Sequence, residues 1–176
     1  MEQILIMCGG RGKRLGHMTK KIPKPLIKIG DKTILELKLR NYLQQGFKEF
    51  IICVGYKANL IKDAVKNYRF SCSYTFSDIG EPAGILKRLY VAKDLFDKRI
   101  VLTYGDTYTN INLSQFSKIH LQSRNEATIV VAPIQNPFGL VEFDKNNRVT
   151  SFKEKPILNY YIGYALINKT ALDLIP

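Results

Sequence analysis

Sulfur and imidazole are scarce in this chain: three cysteines and two histidines in 176 residues. Cys8, Cys53 and Cys72 are odd in number and far apart, and no C-x-x-C pair occurs. That excludes the spacings of a zinc site and of a disulfide framework. Buried free thiols in a reducing cytoplasm are the expectation. His17 and His120 have no partner pattern, so a Ser/His/Asp hydrolase is not indicated. No apolar run approaches the roughly 20 residues of a membrane helix, and the N-terminus lacks the cleavage pattern of a signal peptide. No membrane partner and a cytoplasmic location are therefore expected.

Negative charge is also in short supply, with 15 acidic residues against 27 Lys and Arg, a net charge of +12. Such an excess suits nucleic acid in general. Its distribution points elsewhere. Residues 1–30 hold seven of the basic residues against Glu2 alone, half of the whole excess. A positive field focused on so short a stretch suits a small polyphosphate. The remaining lysines read as solvated helix surface. No nucleic-acid motif or basic aromatic stripe is present, so no nucleic-acid partner is expected.

The basic cluster surrounds Cys8-Gly9-Gly10-Arg11-Gly12-Lys13-Arg14-Leu15-Gly16, followed by Pro23-Lys24-Pro25. Ile4-Leu5-Ile6-Met7 before it has no polar alternation and reads as a buried parallel strand. Glycines after a strand let the backbone approach a ligand closely, with N–H groups free for phosphate oxygens. Two common phosphate loops are excluded. The dinucleotide fingerprint needs a third glycine where Leu15 stands, and the Walker pattern needs a hydroxyl where Arg14 stands.

Further along, Leu26–Ile29 reads as a short strand. Thr33 and Glu36 form a candidate capping box for a helix bearing Leu35, Leu39, Tyr42 and Leu43, closed by Gly46. Phe50–Val54 is a second buried strand. Asn59 caps a helix whose apolar face is Ile61, Val65 and Tyr68. A strand near Ser73–Phe76 and a helix after Pro82, burying Leu86, Leu89 and Tyr90, lead to Ile100–Thr103 and Tyr104-Gly105-Asp106. This alternation at βαβ spacing predicts an α/β fold with a parallel sheet covered on both faces. In such sheets ligands sit outside the strands' carboxyl ends, where both the glycine loop and Asp106 fall. The remainder turns antiparallel: a helix near Leu113–Gln122, a strand over Ala127–Ala132, a hairpin of Gly139–Phe143 and Val149–Phe152, then a strand near Ile162–Ile167.

The ordered blocks Gly9-Gly10-Arg11-Gly12-Lys13-Arg14-Leu15, Thr19, Pro23-Lys24-Pro25, Gly55-Tyr56-Lys57, Gly105-Asp106, Phe138-Gly139 and Glu154-Lys155-Pro156 resemble the sugar-1-phosphate nucleotidylyltransferases over about residues 3–168. Phe50–Lys57, Gly84–Leu89 and Thr103–Asp106 are most similar to the glucose-1-phosphate cytidylyltransferases. The resemblance implies a Rossmann-like three-layer αβα sandwich, with a mostly parallel mixed sheet and an antiparallel C-terminal portion. It implies one nucleotidyltransferase domain over 1–176, with a nucleotide-binding half of about 1–110 and a sugar-binding half of about 111–176. The family's usual C-terminal segment is expected to be absent. The partners implied are an NTP, with CTP favoured, and a sugar 1-phosphate; a homo-oligomer is allowed. Guanylyl- and thymidylyltransferases share the frame, and a non-catalytic nucleotide-binding or regulatory module on this fold stays open beside them.

The resemblance also implies roles for single residues. Arg14 and Lys24 are the catalytic cations at the triphosphate. Cys8, Gly9, Gly10, Gly12, Lys13, Glu81, Gly84 and Asp106 bind nucleotide, Glu81 and Gly84 lying where the family reads the base. Asp106 is the ligand for Mg²⁺. Gly139, Glu154 and Lys155 bind the sugar and its phosphate. The family's second metal carboxylate has no match that spacing recommends, Asp173 included. Tyr160-Tyr161-Ile162-Gly163 stands where the family has Asn before a small pair. Bulk replaces a small polar contact there, a departure from the usual hexose pocket that leaves open a different sugar or an acceptor other than a hexose.

Overall fold

The computed structural model describes residues 2–12 and 16–174. The chain divides into two compact units, one of residues 1–128 with 163–176 and the other of 129–162. In the first unit the apolar run becomes β1 (Gln3–Met7), with its three central residues fully buried. A short helix α1 (His17–Lys21) and a 3-10 turn over Lys24–Leu26 follow, then the two-residue strands β2 (Lys28–Ile29) and β3 (Lys32–Thr33). Of the Leu26–Ile29 strand expected from the sequence, Lys28–Ile29 is strand and pairs with β3, while Leu26 closes a 3-10 turn instead. The reason is the pair of prolines: Pro23 and Pro25 fix their backbone near φ −65°, and Pro25 stands at the first turn, where no N–H is needed.

Helix α2 (Ile34–Gln44) begins where expected, the Thr33 hydroxyl accepting from the Glu36 N–H at 3.1 Å. The Glu36 carboxylate pairs with Arg40 one turn on, at 2.8 Å. Then come β4 (Glu49–Val54), α3 (Ala58–Asn67), β5 (Ser73–Asp78), α4 (Ile85–Val91), β6 (Arg99–Tyr104) and α5 (Leu113–Ser123). Two readings are corrected here. Helix α3 starts after Lys57, whose left-handed φ of 51° turns the chain into the helix, and Asn59 lies inside it. On α4 the buried face is Arg88 and Leu89, while Leu86 is 62% exposed and Tyr90 43%. An arginine took the inward position because its guanidinium finds backbone acceptors there, as set out below.

The strands β7 (Ala127–Gln135) and β10 (Ile157–Asn168) complete a six-stranded sheet of order β5-β4-β1-β6-β10-β7. The pairs β4–β5, β1–β4 and β1–β6 are parallel, and β6–β10 is antiparallel. Register fixes which side chains share a face. Leu5, Ile51, Leu102 and Ala165 lie in one row and pack with Leu89, Ala92, Phe96 and Leu172. The alternate residues face α2, as the Tyr42–Phe50 stack shows, with ring centroids 6.3 Å apart. Helices therefore cover both faces, and three layers result. The central strand β1 has a parallel neighbour on each side, so the strand order reverses at its carboxyl end, where α/β sheets open a crevice.

The second unit contains the hairpin β8 (Leu140–Phe143) and β9 (Val149–Lys153). Its turn closes on Asp144, whose carboxylate accepts from the N–H groups of Asn146 and Arg148 at 2.8 and 3.0 Å. No helix among the described residues is long and apolar enough to cross a membrane.

Candidate active site

The glycine loop leaves β1 at the middle of the sheet. Cys8 extends the ladder, its N–H donating to the Cys53 carbonyl at 2.8 Å, and Tyr56 N–H donates to the Gly9 carbonyl at 3.1 Å. Past that point, the N–H groups of Gly10, Arg11 and Gly12 find no acceptor among the described residues. The loop is tied down from outside. Thr19, 4% exposed, donates its hydroxyl to the Gly12 carbonyl at 3.3 Å, and the Tyr56 hydroxyl donates to the Thr19 carbonyl at 2.9 Å. Gly12 has φ +63°, and a Cβ there would fall 2.6 Å from the Lys24 side chain. Glycine is required at that position by both conformation and space.

Lys24 and Asp106 meet at this loop. Lys24 heads the 3-10 turn, so its side chain starts from a backbone held by two prolines. Asp106 follows β6 through Gly105, whose N–H donates to the Met7 carbonyl at 2.9 Å. A Cβ on Gly105 would fall 2.6 Å from Cys8 Sγ, so a glycine there is what lets the strand end close against the loop. Lys24 Nζ then donates to Asp106 Oδ2 at 3.1 Å. Burial pushes the Cys8 thiol far up from its ordinary value, so Cys8 lines the site as a neutral group and not as a nucleophile.

The third wall comes from the 80–84 loop, and Arg88 holds it. This guanidinium is 4% exposed and donates to the carbonyls of Val54 (2.5 Å), Gly9 (3.4 Å), Gly80 (2.5 Å), Glu81 (3.2 Å) and Ala83 (3.2 Å). Five acceptors from three segments offset the desolvation of the cation. Sequence reasoning missed it by placing Leu86 and Tyr90 on the inner face. The spacing of Ile85, Arg88, Leu89 and Ala92 was the available signal.

The result is a cavity of about 410 Å³. Of the expected nucleotide-site residues, Cys8, Gly9, Gly10, Gly12, Lys24, Gly84 and Asp106 line it, and Arg88 joins them. Glu81 forms an ion pair with Arg11 across from Tyr56, over whose ring the Arg11 guanidinium lies at 5.6 Å. Lys13 and Arg14 lie outside the described residues. In the second unit, Gly139 and Glu154 come together: a Cβ on Gly139 would lie 3.6 Å from Glu154 Oε2 and 2.8 Å from the Phe152 ring. Lys155, with a left-handed φ of 42°, places its Nζ 3.8 Å from Glu154 Oε1.

No group of three or more His, Cys, Asp or Glu side chains that could hold a metal exists among the described residues. Asp173 is 67% exposed and faces Lys93 at 3.5 Å. The donor set at the cavity is one carboxylate, Asp106. That matches a magnesium ion bound by one or two carboxylates plus phosphate oxygens and water, and does not match an all-protein cage.

A model of the nucleotidyl transferase family matches residues 3–167, nearly the whole chain. The chain belongs to the nucleotidyl transferase family. Among curated relatives, a D-glycero-alpha-D-manno-heptose 1-phosphate guanylyltransferase of Campylobacter jejuni is 34% identical over 157 residues, covering 87% of this chain and 68% of that protein. A probable glucose-1-phosphate cytidylyltransferase of Bacillus subtilis is 29% identical over 196 residues, covering 98% and 77%. Among solved structures, HddC of Yersinia pseudotuberculosis superposes with a TM-score of 0.81 over 100% of this chain and 80% of that one. At 24% identity that likeness speaks for the fold. The chain thus brings its glycine loop and its Lys24–Asp106 pair to the crevice where the strand order reverses.

Proposed function

We propose that this protein joins a nucleoside triphosphate to a sugar 1-phosphate, releasing pyrophosphate. The observation that carries the reading is the Lys24–Asp106 pair, 3.1 Å apart, beside a loop whose N–H groups find no acceptor among the described residues. Those amides and Lys24 suit a triphosphate, and Asp106 suits the metal that rides on it. Relatives at 34% and 29% identity are named for this class of reaction.

The chemistry asks for alignment and charge neutralisation. An oxygen of the sugar phosphate attacks the α-phosphorus in line. A new P–O bond forms to it, the bond from the α-phosphorus to the bridging oxygen breaks, and pyrophosphate leaves with that oxygen. Lys24 offsets the charge on the oxygens around the reacting phosphorus. The Gly10–Gly12 amides hold the triphosphate, and Arg14 is assigned to the leaving pyrophosphate. Asp106 would hold Mg²⁺, which would supply neutralisation of the phosphate charge. Gly84 and Glu81 border the base, and Gly139, Glu154 and Lys155 take the sugar phosphate.

CTP is the favoured triphosphate, on the Gly84–Leu89 and Thr103–Asp106 stretches. GTP is the second choice, because the 34% identical relative is named a guanylyltransferase. The deciding experiment incubates the protein with Mg²⁺, each of CTP, GTP, UTP and dTTP, and a panel of hexose and heptose 1-phosphates, and measures pyrophosphate. Release with CTP and one sugar phosphate is expected. Release with GTP alone would overturn the base assignment. No release with any pair, from protein that still binds a nucleotide, would favour a non-catalytic binding module.

A further inference from the structure

Lys38 is a cation placed where the helix pattern calls for an apolar residue. It lies on the inner face of α2 with Leu35, Leu39 and Tyr42 and is 1% exposed. Among the described residues it has no carboxylate partner. Its three N–H bonds go instead to the Thr103 hydroxyl (2.9 Å), the Tyr164 hydroxyl (2.8 Å) and the Thr107 carbonyl (2.5 Å). An ammonium has three donors, and all three are used. Tyr42 closes the cluster, its hydroxyl 3.1 Å from that of Tyr164. Desolvating an ammonium is costly even after relaxation, so a leucine or methionine would serve the core better.

What the ammonium holds is the turn that carries Asp106. Thr107 is the next residue, and its hydroxyl donates to the Tyr104 carbonyl at 3.2 Å. The turn is therefore pinned twice, once by that hydroxyl and once by Lys38 on the Thr107 carbonyl. Asp106 lies between the pins and presents its carboxylate to Lys24. Removing Lys38 would leave the Thr107 carbonyl without its ammonium and free the segment that aims Asp106.

We infer that Lys38 is a positioning residue for the transfer reaction: through the Thr107 carbonyl it fixes the turn bearing Asp106. The inference rests on the reading of Asp106 given above. Outer partners of a metal ligand change affinity or activity by about 10–100-fold when removed. Lys38→Met is therefore expected to raise the Mg²⁺ concentration for half-maximal activity by about that factor, leaving the KM for the triphosphate within roughly threefold. In the free protein, hydrogen exchange in the 104–110 segment should speed up about tenfold, while the 50–54 segment keeps its protection. A lower melting temperature with both readouts unchanged would mean that Lys38 is merely structural, and would overturn the inference. If the variant does not fold, the side-chain nitrogen resonance of Lys38 in the wild-type protein decides instead. It should shift in Asp106→Asn, and a resonance indifferent to that change overturns the inference. A wild-type protein without turnover would sink the proposed function, while the exchange and resonance readouts would still judge Lys38.

Discussion

Lys24 Nζ stands 3.1 Å from Asp106 Oδ2 although 82 residues separate them in the chain. The two side chains are 17% and 35% exposed, a setting in which an ion pair contributes no more than about 1 kcal/mol to stability. Under the proposed function the pairing is a resting arrangement of a cation and a carboxylate that would each take a different partner on arrival of a metal-bound triphosphate. Lys24→Met should accordingly lower kcat by about 10²–10³, the cost of removing one preorganised charge donor. The melting temperature should stay close to wild type. Asp106→Asn should abolish the response of the rate to Mg²⁺ with equally little loss of stability. A calorimetric scan beside a pyrophosphate assay tests both.

Two glycines of the loop, two residues apart, should behave differently. Gly12→Ala forces a side chain into a left-handed backbone of φ +63° and against Lys24. It should cost about 1–2 kcal/mol for the backbone alone and reduce turnover by displacing the lysine. A Cβ on Gly10 meets nothing within 4 Å. Gly10→Ala should leave the melting temperature in place and weaken triphosphate binding, because the methyl occupies the space the phosphates need. Titration calorimetry with a non-hydrolysable triphosphate separates the two effects.

Arg88→Met should be among the most destabilising single changes in the first unit. It removes a donor from five carbonyls, of which Gly9 keeps the Tyr56 N–H, and each carbonyl left buried and unmet costs about 1–3 kcal/mol. A loss of at least about 3 kcal/mol is expected in urea unfolding, against near neutrality for the exposed neighbour Lys87→Met. Equal effects at the two positions would refute the bridging role.

Asp78 ends β5 and accepts from Lys62 at 2.9 Å and from the Gly80 N–H at 3.3 Å. The Lys62 bond, joined by the Gly80 N–H, holds its carboxyl below the ordinary 3.8. A depressed carboxyl stabilises the fold fully above the unfolded value and ceases to do so as pH falls through the folded one. Wild type should therefore exceed Asp78→Asn in melting temperature at pH 6. The gap should close as the pH drops below 3.8, and a gap that widens in acid would reverse the assignment.

The parts of the molecule that declare themselves in the sequence are those where one local rule operates. The apolar runs at Ile4–Met7 and Phe50–Val54 became the central buried strands, and Thr33 capped its helix. Gly9, Gly10 and Gly12 marked the loop, and Gly105 announced the turn before Asp106. The failures are of another kind. Lys38 and Arg88 are long cations with apolar stems, and position alone made them look like surface. Only the folded chain shows that each has three or more oxygen acceptors waiting inside. Asn59 fits a cap by residue type, yet Lys57 turned the backbone first.

The Arg88 guanidinium occupies the space into which any side chain at Gly9 would grow, and a side chain at Gly55 would meet both it and the Gly80 carbonyl. This imposes an order on sequence drift. A side chain at Gly9 requires the Arg88 guanidinium to leave its carbonyls or position 88 to shrink, whereas Gly55 stays constrained by backbone even then. In descendants of this chain, the identity of a helix residue far along the sequence would decide which substitutions the glycine loop accepts. A tally of tolerated changes made with Arg88 in place would mistake this historical contingency for an intrinsic demand of phosphate binding.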